Sequence, residues 1–588
     1  MQTYLFLMTI GPVQDFIAAA RRSRDLWAGS HLLSDLARRA AKTLQGEGAT
    51  LIFPAQNDLD AHDVVNRLLA VTTVPPDQLG SRVENAVRNY LHERAHEVLA
   101  KIPGLQNESS LTDRALQQVD DLLEIFWAGV DHTGDYQQDR DALEAALAAR
   151  KNTREFRQPS YAAMVPKSSI DGLRESVIPE SYFPKPGSGE RERKRSQQQL
   201  LELFGAKKAE RLSGVDLLKR HLSGAGGVTD FPSTSHFAAL PWLYRHQRFA
   251  TAFDAYLKDV QTYLKPEQLH SQRFQHLNLF QGFDASILFA ERLEEEVDAA
   301  DLNEVQSRLN DLYRAIGSGP EPYYAILHAD GDRMGQVIDK LAREEDGYKR
   351  HQDFSRALDT FAGGVRVIVE SAAHRGALMY SGGDDVLAFL PVDTVISCAR
   401  RIAESFAAAL QQYKNAEGLS PTLSVGVAIA HHLEPLSSVL DLARQAEKVA
   451  KRSRNAPAII LSKRSGVDTT ISGEWQSGFV ERLERFIELH QTDAFPDGAA
   501  FELRDLDERV GRILSAEALI AEALRILKRK RAQHGQAGLA EADLELIRQT
   551  LEAGARQQPR WSVDELADEL IVARAFARAR GIQQKKER

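Results

Sequence analysis

The chain has 588 residues, 43% hydrophobic and 27% charged, with a formal net charge of -9; that length is too great for one core, so several domains are expected. No apolar run approaches the ~20 residues a bilayer span needs, and the opening MQTYLFLMTIGPVQDF lacks the early positive charge and cleavage site of a signal peptide. The single cysteine, Cys398, excludes intramolecular disulfides and a thiolate zinc cluster; a cytoplasmic protein with no membrane partner fits all of this.

Residues 4–10 predict a strand, Gly11 and Pro12 break it, and residues 15–44 carry helical periodicity. LIFP at 51–54 predicts the next strand, and helical patterns dominate from there to Arg150. Residues 152–227 are rich in Ser, Pro, Gly and charge, and ERERKRSQQQ at 190–199 predicts an exposed hinge or loop. Helices follow from Trp242 to Ile316, and GSGPEP at 317–322 marks a boundary. Beyond it come a strand at 323–330, a helix at 354–374, a strand–turn–strand hairpin at 377–391, a helix at 394–413, a strand at 423–430, a helix at 435–454 and a closing strand in APAIILSK. The order β-α-β-β-α-β is the ferredoxin-like arrangement of palm domains. From about Trp475 onward the pattern is almost wholly helical.

SGGDDV at 381–386 carries the most chemistry. Gly382 and Gly383 permit a sharp turn, which sets Asp384 and Asp385 at the hairpin tip. With the hairpin's first strand beside the strand at 323–330, Asp330 comes within their reach. Three carboxylates at one sheet edge repel each other and desolvate poorly. They make sense as oxygen ligands for Mg²⁺ (or Mn²⁺), which takes a few carboxylates plus substrate phosphates and serves phosphoryl displacement. The plain alternative is a polar hairpin turn; the upstream Asp-Gly-Asp strand end and the apolar strands flanking the turn favour a metal-dependent nucleotidyl-transfer site. Asp332 is expected to cap the helix ahead of Met334 rather than to ligate metal. Lys451 either reaches substrate phosphates or is a solvated helix lysine. His62–Asp63 has the look of a metal-dependent phosphohydrolase dyad but lacks the further ligands, so it is read as chance, and His431–His432 as a turn. Basic clusters at Arg21, Arg22 and Arg24, at 191–195 and at 528–531 are solvated faces or local phosphate-binding surfaces.

These residues also carry a resemblance. DGDRMG at 330–335 and YSGGDDVLAFLP at 380–391 resemble the second palm of the large subunit of type III CRISPR effector complexes; so do LSVGVAIAHH, the Ala450–Lys451 pair and LSKRSG at 461–466. GPVQDFIAAARRSRDLWAGSHLLSDL at 11–36, LIFP, VVNRLLA from Val64 and FPSTSHFAALPWL from Phe231 are similar to the Cmr-type (III-B) branch. The resemblance implies an α+β fold with two ferredoxin-like palm domains, related to nucleotidyl cyclases and polymerases and packed face to face. It implies a first palm without a catalytic hairpin at 1–155, a hinge and helical domain at 156–320, a second palm at 321–466 and a C-terminal helical domain at 467–588. ATP is then the substrate, bound between the palms, the 3′-hydroxyl of one molecule attacking the α-phosphate of the next. Cyclic oligoadenylates are the usual product, although some relatives join AMP to another small molecule. The implied partners are other Cmr-type subunits, guide RNA and target RNA, the last as trigger. By residue, Asp330 and Asp384 are implied as catalytic metal ligands, with Asp385 a ligand or close neighbour. The Gly331 carbonyl completes the site, Gly382 and Gly383 let the hairpin approach the nucleotide, and Ser381 and Lys451 contact phosphate or base. Two departures are expected: no N-terminal HD nuclease domain, and no zinc, since KSSIDGLRESV at 167–177 has no cysteine and leaves that region to packing alone. A catalytically silent scaffold and a stand-alone palm-domain nucleotide cyclase are the competing readings.

Overall fold

The computed structural model describes the chain except residues 1, 57, 107, 154–164, 208–209, 223–230, 264–282, 298–299, 465, 496–497, 530–538, 557–561 and 583–588. The first sheet is built from β1 (Tyr4–Gly11), β2 (Thr50–Phe53), β3 (Arg67–Thr72) and β4 (Glu124–Asp131), in the order β2-β3-β1-β4. Helices α1 (Gln14–Ala18) and α2 (Ser23–Gly46) follow β1, and α3 (Pro76–Leu99) follows β3. Neighbouring strands are antiparallel, so this is a β-α-β-β-α-β sheet of the ferredoxin-like kind. Both β3 and β4 occupy stretches that periodicity assigns to helices. Strand β3 is buried along most of its length, and β4 is a half-buried edge strand covered by α4 (Tyr136–Asn152), so neither shows a clean two-residue alternation.

The linking region departs from its sequence reading in two places. ERERKRSQQQ is not a hinge or loop but the body of α5 (Glu190–Phe204). Its charges pair along the helix, Lys194 Nζ lying 3.0 Å from Glu190, and its last turn buries Leu200 and Phe204; a charge-rich stretch without Pro or Gly is a good helix former. Nor is the 167–177 stretch held by packing alone. Ser168 and Ser213 each donate from Oγ to Asp216 Oδ2 at 2.6 Å, and the Ser213 N–H reaches the same oxygen at 2.8 Å. Asp216 belongs to α6 (Gly214–Leu222). In the cluster at Arg21, Arg22 and Arg24, Arg21 is exposed and donates to the Ser169 carbonyl (3.0 Å), and the half-buried Arg22 donates to that of Gly205 (2.9 Å), so the pair also ties this region to the start of α2. Residues 191–195 are exposed on α5; in the 528–531 cluster, residues 530 and 531 lie outside the described residues. Two further helices, α7 (Thr234–Arg245) and α8 (Leu302–Ile316), lead to the boundary at Gly317, whose φ of 89° ends α8 in the left-handed conformation glycine favours.

The second sheet has the order β10-β9-β8-β5-β7-β6. Its elements are β5 (Tyr323–Asp332), α9 (Met334–Ala342), α10 (Gly347–Val369), β6 (Ala377–Gly382), β7 (Asp385–Leu390), α11 (Val395–Leu410), β8 (Thr422–His431), α12 (Leu436–Ser453), β9 (Pro457–Leu461) and β10 (Thr469–Ser472). One expectation is corrected: the hairpin's second strand, β7, lies beside β5, with Ala329 opposite Val386, and its first strand, β6, is the outer edge. The crossover through α9 and α10 carries β6 two places out, and the antiparallel return fills the gap between. Strand β5 is apolar on both faces because both are covered. Tyr324 and Ile326 enter the core shared with the first sheet and the linking helices, while Ala325, Leu327 and Ala329 enter the core under α10 and α11.

The two sheets meet through α10. Ala55 N–H donates to Ser355 Oγ (2.8 Å), Gln352 donates to the Leu51 carbonyl (2.6 Å), and Tyr136 is hydrogen-bonded to His351 (2.8 Å). The C-terminal region is helical, from α13 (Phe479–Gln491) through α14 (Ala499–Val510), α15 (Ala516–Arg529) and α16 (Glu541–Ala555) to α17 (Val563–Arg580); α17 starts at a capping box formed by Ser562 and Glu565. Among the described residues no helix is long and apolar enough to cross a membrane.

Candidate active site

Register brings the carboxylates together. With Ala329 opposite Val386 and Gly382 paired with Asp385 across the turn, Asp330 stands beside the start of β7. Gly383, at φ 63°, makes the turn. Gly331 allows the close approach: a Cβ there would lie 2.6 Å from Asp384 Oδ2 and 2.8 Å from Asp384 Cβ. Gly331→Ala is therefore expected to push the hairpin tip outward and to cost about 10²-fold in turnover, as a displacement of about 1 Å does at a reacting centre. A rate assay beside a thermal melt checks it, and an unchanged rate would mean that the tip position does not matter.

Lys451, on α12, closes the cluster from the other side. Its Nζ donates to the Gly331 carbonyl at 2.6 Å, forms an ion pair with Asp330 and lies 3.5 Å from Asp332. Burial works against its charge, but the hydrogen bond and charge of Asp330 prevail and hold the ammonium above its ordinary value. Asp332 is not the helix cap the sequence suggests. It is 2% exposed, and it accepts from Thr422 Oγ1 (2.8 Å), Ser424 Oγ (2.8 Å) and the Asn455 N–H (3.0 Å). It thus fastens β5 to β8 and to the end of α12, while Arg333 takes the cap position.

Burial, then the charge of Asp330, pushes the Asp384 carboxyl above the usual range; burial, then Asp384 and Asp330, does the same to Asp385. Asp384 is only half-buried and Asp385 is exposed, so for this pair repulsion among the carboxylates outweighs burial. Among the described residues no group of three or more His, Cys, Asp or Glu is arranged to hold a metal ion, and Lys451 engages both Asp330 and the Gly331 carbonyl. The donor types gathered here, carboxylates and a carbonyl, are those a hard cation takes together with phosphate oxygens.

Other candidates are placed differently from their sequence reading. The Ser381 hydroxyl is buried and donates to the Ala362 carbonyl (3.2 Å), so it does not face the hairpin tip. Gly382 makes room for Tyr380, whose hydroxyl oxygen would lie 1.9 Å from a Cβ there. His62 and Asp63 are the seat of the hairpin: the His62 ring lies against Gly363, and Asp63 Oδ2 is 3.4 Å from the Ser381 N–H. His432 lies in the turn after β8, as the sequence suggests, but it is buried there: it is 1% exposed, tilted against Phe289 with ring centroids 4.2 Å apart, and hydrogen-bonded to Ser235 at 2.8 Å. Sequence reasoning missed His328, two residues before Asp330 on the same strand face, and Arg444, seven residues before Lys451 on α12. Both line a cavity that also touches Asp385. The period of each element gives the only signal that could have found them.

Residues 323–459 match the family model of the Cas10/Cmr2 second palm domain, and residues 5–122 match that of the N-terminal part of CRISPR-associated protein Cmr2. The CRISPR system Cmr subunit Cmr2 of Pyrococcus furiosus is 26% identical across 79% of this chain, which spans 62% of that relative's length. The fold resembles a chain of the type III-B Cmr-beta complex in its apo state, with a TM-score of 0.65 and 14% identity over 92% of this chain and 79% of that one. It also resembles a chain of Cmr-beta bound to cognate target RNA, with a TM-score of 0.66 and 13% identity over 98% and 83%. The chain is thus similar to Cmr2 proteins on both sheets, to their N-terminal part over residues 5–122 and to the Cas10/Cmr2 second palm domain over residues 323–459.

Proposed function

We propose that the chain is the nucleotidyl-transferring subunit of an RNA-guided Cmr-type complex, joining ATP into cyclic oligoadenylates or related adenylates when target RNA binds. The observation that carries it is the meeting of Asp330, Asp384 and Asp385 with Lys451 and the Gly331 carbonyl where β5 ends and β7 begins, two inner strands of the second sheet. Like charges gathered so closely repel each other and bring no structural gain. In this reading Asp330, Asp384 and Asp385 hold Mg²⁺ or Mn²⁺, which when bound stabilises charge on the attacking and leaving oxygens. Gly382 and Gly383 keep the tip narrow enough for a nucleotide to lie against it, and Lys451 orders Asp330 and Gly331. A hydroxyl of one nucleotide attacks the α-phosphorus of another, forming an O–P bond as the bond to pyrophosphate breaks. Other Cmr-type subunits and guide RNA complete the working particle, and target RNA is the trigger.

The test incubates the assembled complex with labelled ATP and Mg²⁺, with and without target RNA, beside Asp384→Ala/Asp385→Ala. RNA-dependent adenylates that vanish in the double variant are the expected result, and mass identifies the product. No product from a correctly assembled complex with either metal would leave a silent scaffold. Full activity of the chain alone without RNA would leave a stand-alone cyclase.

A further inference from the structure

Lys451 stands where a cation would. Its Nζ donates to the Gly331 carbonyl at 2.6 Å and is ion-paired with Asp330. These are two of the oxygen donors that the nucleotidyl-transfer reading gives to the metal. A bound cation and the ammonium cannot share them without bringing like charges close together. Asp332 lies 3.5 Å from the same nitrogen, but its oxygens are already engaged by Thr422, Ser424 and the Asn455 N–H. In this arrangement the ammonium holds Asp330 and Gly331 in place and closes them to a cation.

A second place for the ammonium lies on its own helix. Glu447 is four residues earlier on α12, the spacing at which a glutamate and a following lysine meet on one helix face. It is half-buried, and it has no hydrogen bond or ion pair among the described residues. Burial, then the charge of Asp330, pushes its carboxyl above the ordinary range, and the Lys451 ammonium works the other way. Glu447 is thus within electrostatic reach of both partners of the ion pair. Lysine carries its charge on a flexible stem, so moving from Gly331 to Glu447 needs rotation of the side chain alone. The side chains of Lys451 and Asp330 are 27% and 34% exposed, which gives an incoming cation a way in from solvent.

We propose that Lys451 is a tethered stand-in cation with two positions: on Asp330 and the Gly331 carbonyl it blocks metal entry, and on Glu447 it leaves those donors free. Only the second position is competent for metal, so apparent metal affinity is lowered by the share of molecules in the first. Glu447 is a positioning residue that acts through Lys451. The inference rests on the metal-dependent reading, and it adds a control on metal entry and a role for a carboxylate outside the cluster.

The test is Mn²⁺ binding to the full chain without nucleotide, read from the electron paramagnetic resonance signal of free Mn²⁺ at about 0.15 M salt. The proteins are wild type, Lys451→Met, Glu447→Gln, the double variant and Lys448→Met. Lys451→Met is expected to tighten Mn²⁺ at least about tenfold, and Glu447→Gln to weaken it about threefold or more. In the Lys451→Met background Glu447→Gln should stay within about twofold, since its role is to receive the ammonium. Lys448 is exposed on the same helix and controls for the loss of charge alone, so Lys448→Met should also stay within about twofold. If Lys451→Met melts early in chelator, Lys451→Gln, which keeps a polar end without the charge, takes its place. Equal affinity of wild type and Lys451→Met, or an equal gain in Lys448→Met, overturns the inference alone. So does a Glu447→Gln effect of one size in both backgrounds, which would make Glu447 a plain attracting charge. Failure of the wild type to bind Mn²⁺ even with a saturating α,β-methylene analogue of ATP overturns the metal-dependent reading and this inference with it.

Discussion

Asp384→Asn is expected to abolish adenylate formation and yet to make the metal-free chain more stable. Asp384 is drawn to within a glycine's width of β5, with a virtual Cβ on Gly331 only 2.6 Å from its Oδ2, and it faces the charges of Asp330 and Asp385. Lys451 is engaged with Asp330 and the Gly331 carbonyl and offsets only part of that charge. An amide of the same shape removes one repelling charge and keeps most of the packing. The gain should be about 0.5–2 kcal/mol, the range found when a strained functional group is relaxed. The loss of rate should be at least about 10²–10³-fold, the scale for removing one electrostatic contact to a transition state. Thermal melts in chelator at neutral pH, paired with the ATP assay, test both halves. Equal or lower stability of Asp384→Asn in chelator would mean that the three acids are not in conflict, and the electrostatic case for a cation would fall with it.

How much of this was legible in the sequence differs from element to element. The second sheet reads well because its strands are long, apolar on both faces and separated by clear turns; Gly382–Gly383–Asp384–Asp385 announces its hairpin. Which hairpin strand lies beside β5 is not legible locally, since it depends on how far the α9–α10 crossover travels. In the first sheet β1 and β2 were readable. Strand β4, edge-bound and half-buried, has no alternation to find. Asp332 shows the limit of local rules: by position it is a cap ahead of Met334, but its partners Thr422, Ser424 and Asn455 are distant in sequence. His62 and Asp63 likewise gain meaning only when α10 and the hairpin come against them. Composition misled at α5, where charge suggested a loop although its spacing supports a helix.

Arg220→Ala is expected to be the most damaging single change outside the carboxylate cluster, for reasons of charge rather than volume. Arg220 is buried, its side chain 1% exposed, and it joins two buried acids: Asp25 of α2 at 2.8 Å and Glu210 of the linking region at 2.8 Å. It also donates to the Gly205 carbonyl at 2.9 Å. Burial alone would raise the Asp25 and Glu210 carboxyls, but Arg220 and then Arg22 outweigh it and hold both below the ordinary range. Removing the guanidinium strands two carboxylates without a full counter-charge, which costs about 3–5 kcal/mol. The sign with pH follows from linkage. In the wild type, acids with lowered folded values add stability above the ordinary carboxylate pKa and lose it as pH falls through those lowered values. In the variant the stranded acids are a penalty that protonation relieves. The stability gap between the two proteins should therefore be widest at neutral pH and narrow toward pH ~4, near the ordinary carboxylate value. Because the chain has several domains and need not unfold in one step, the first thermal transition is the quantity to follow, with limited proteolysis of the 167–222 region beside it. A gap that stays constant with pH would assign the loss to packing, and no gap at all would mean that Arg22 carries the network by itself.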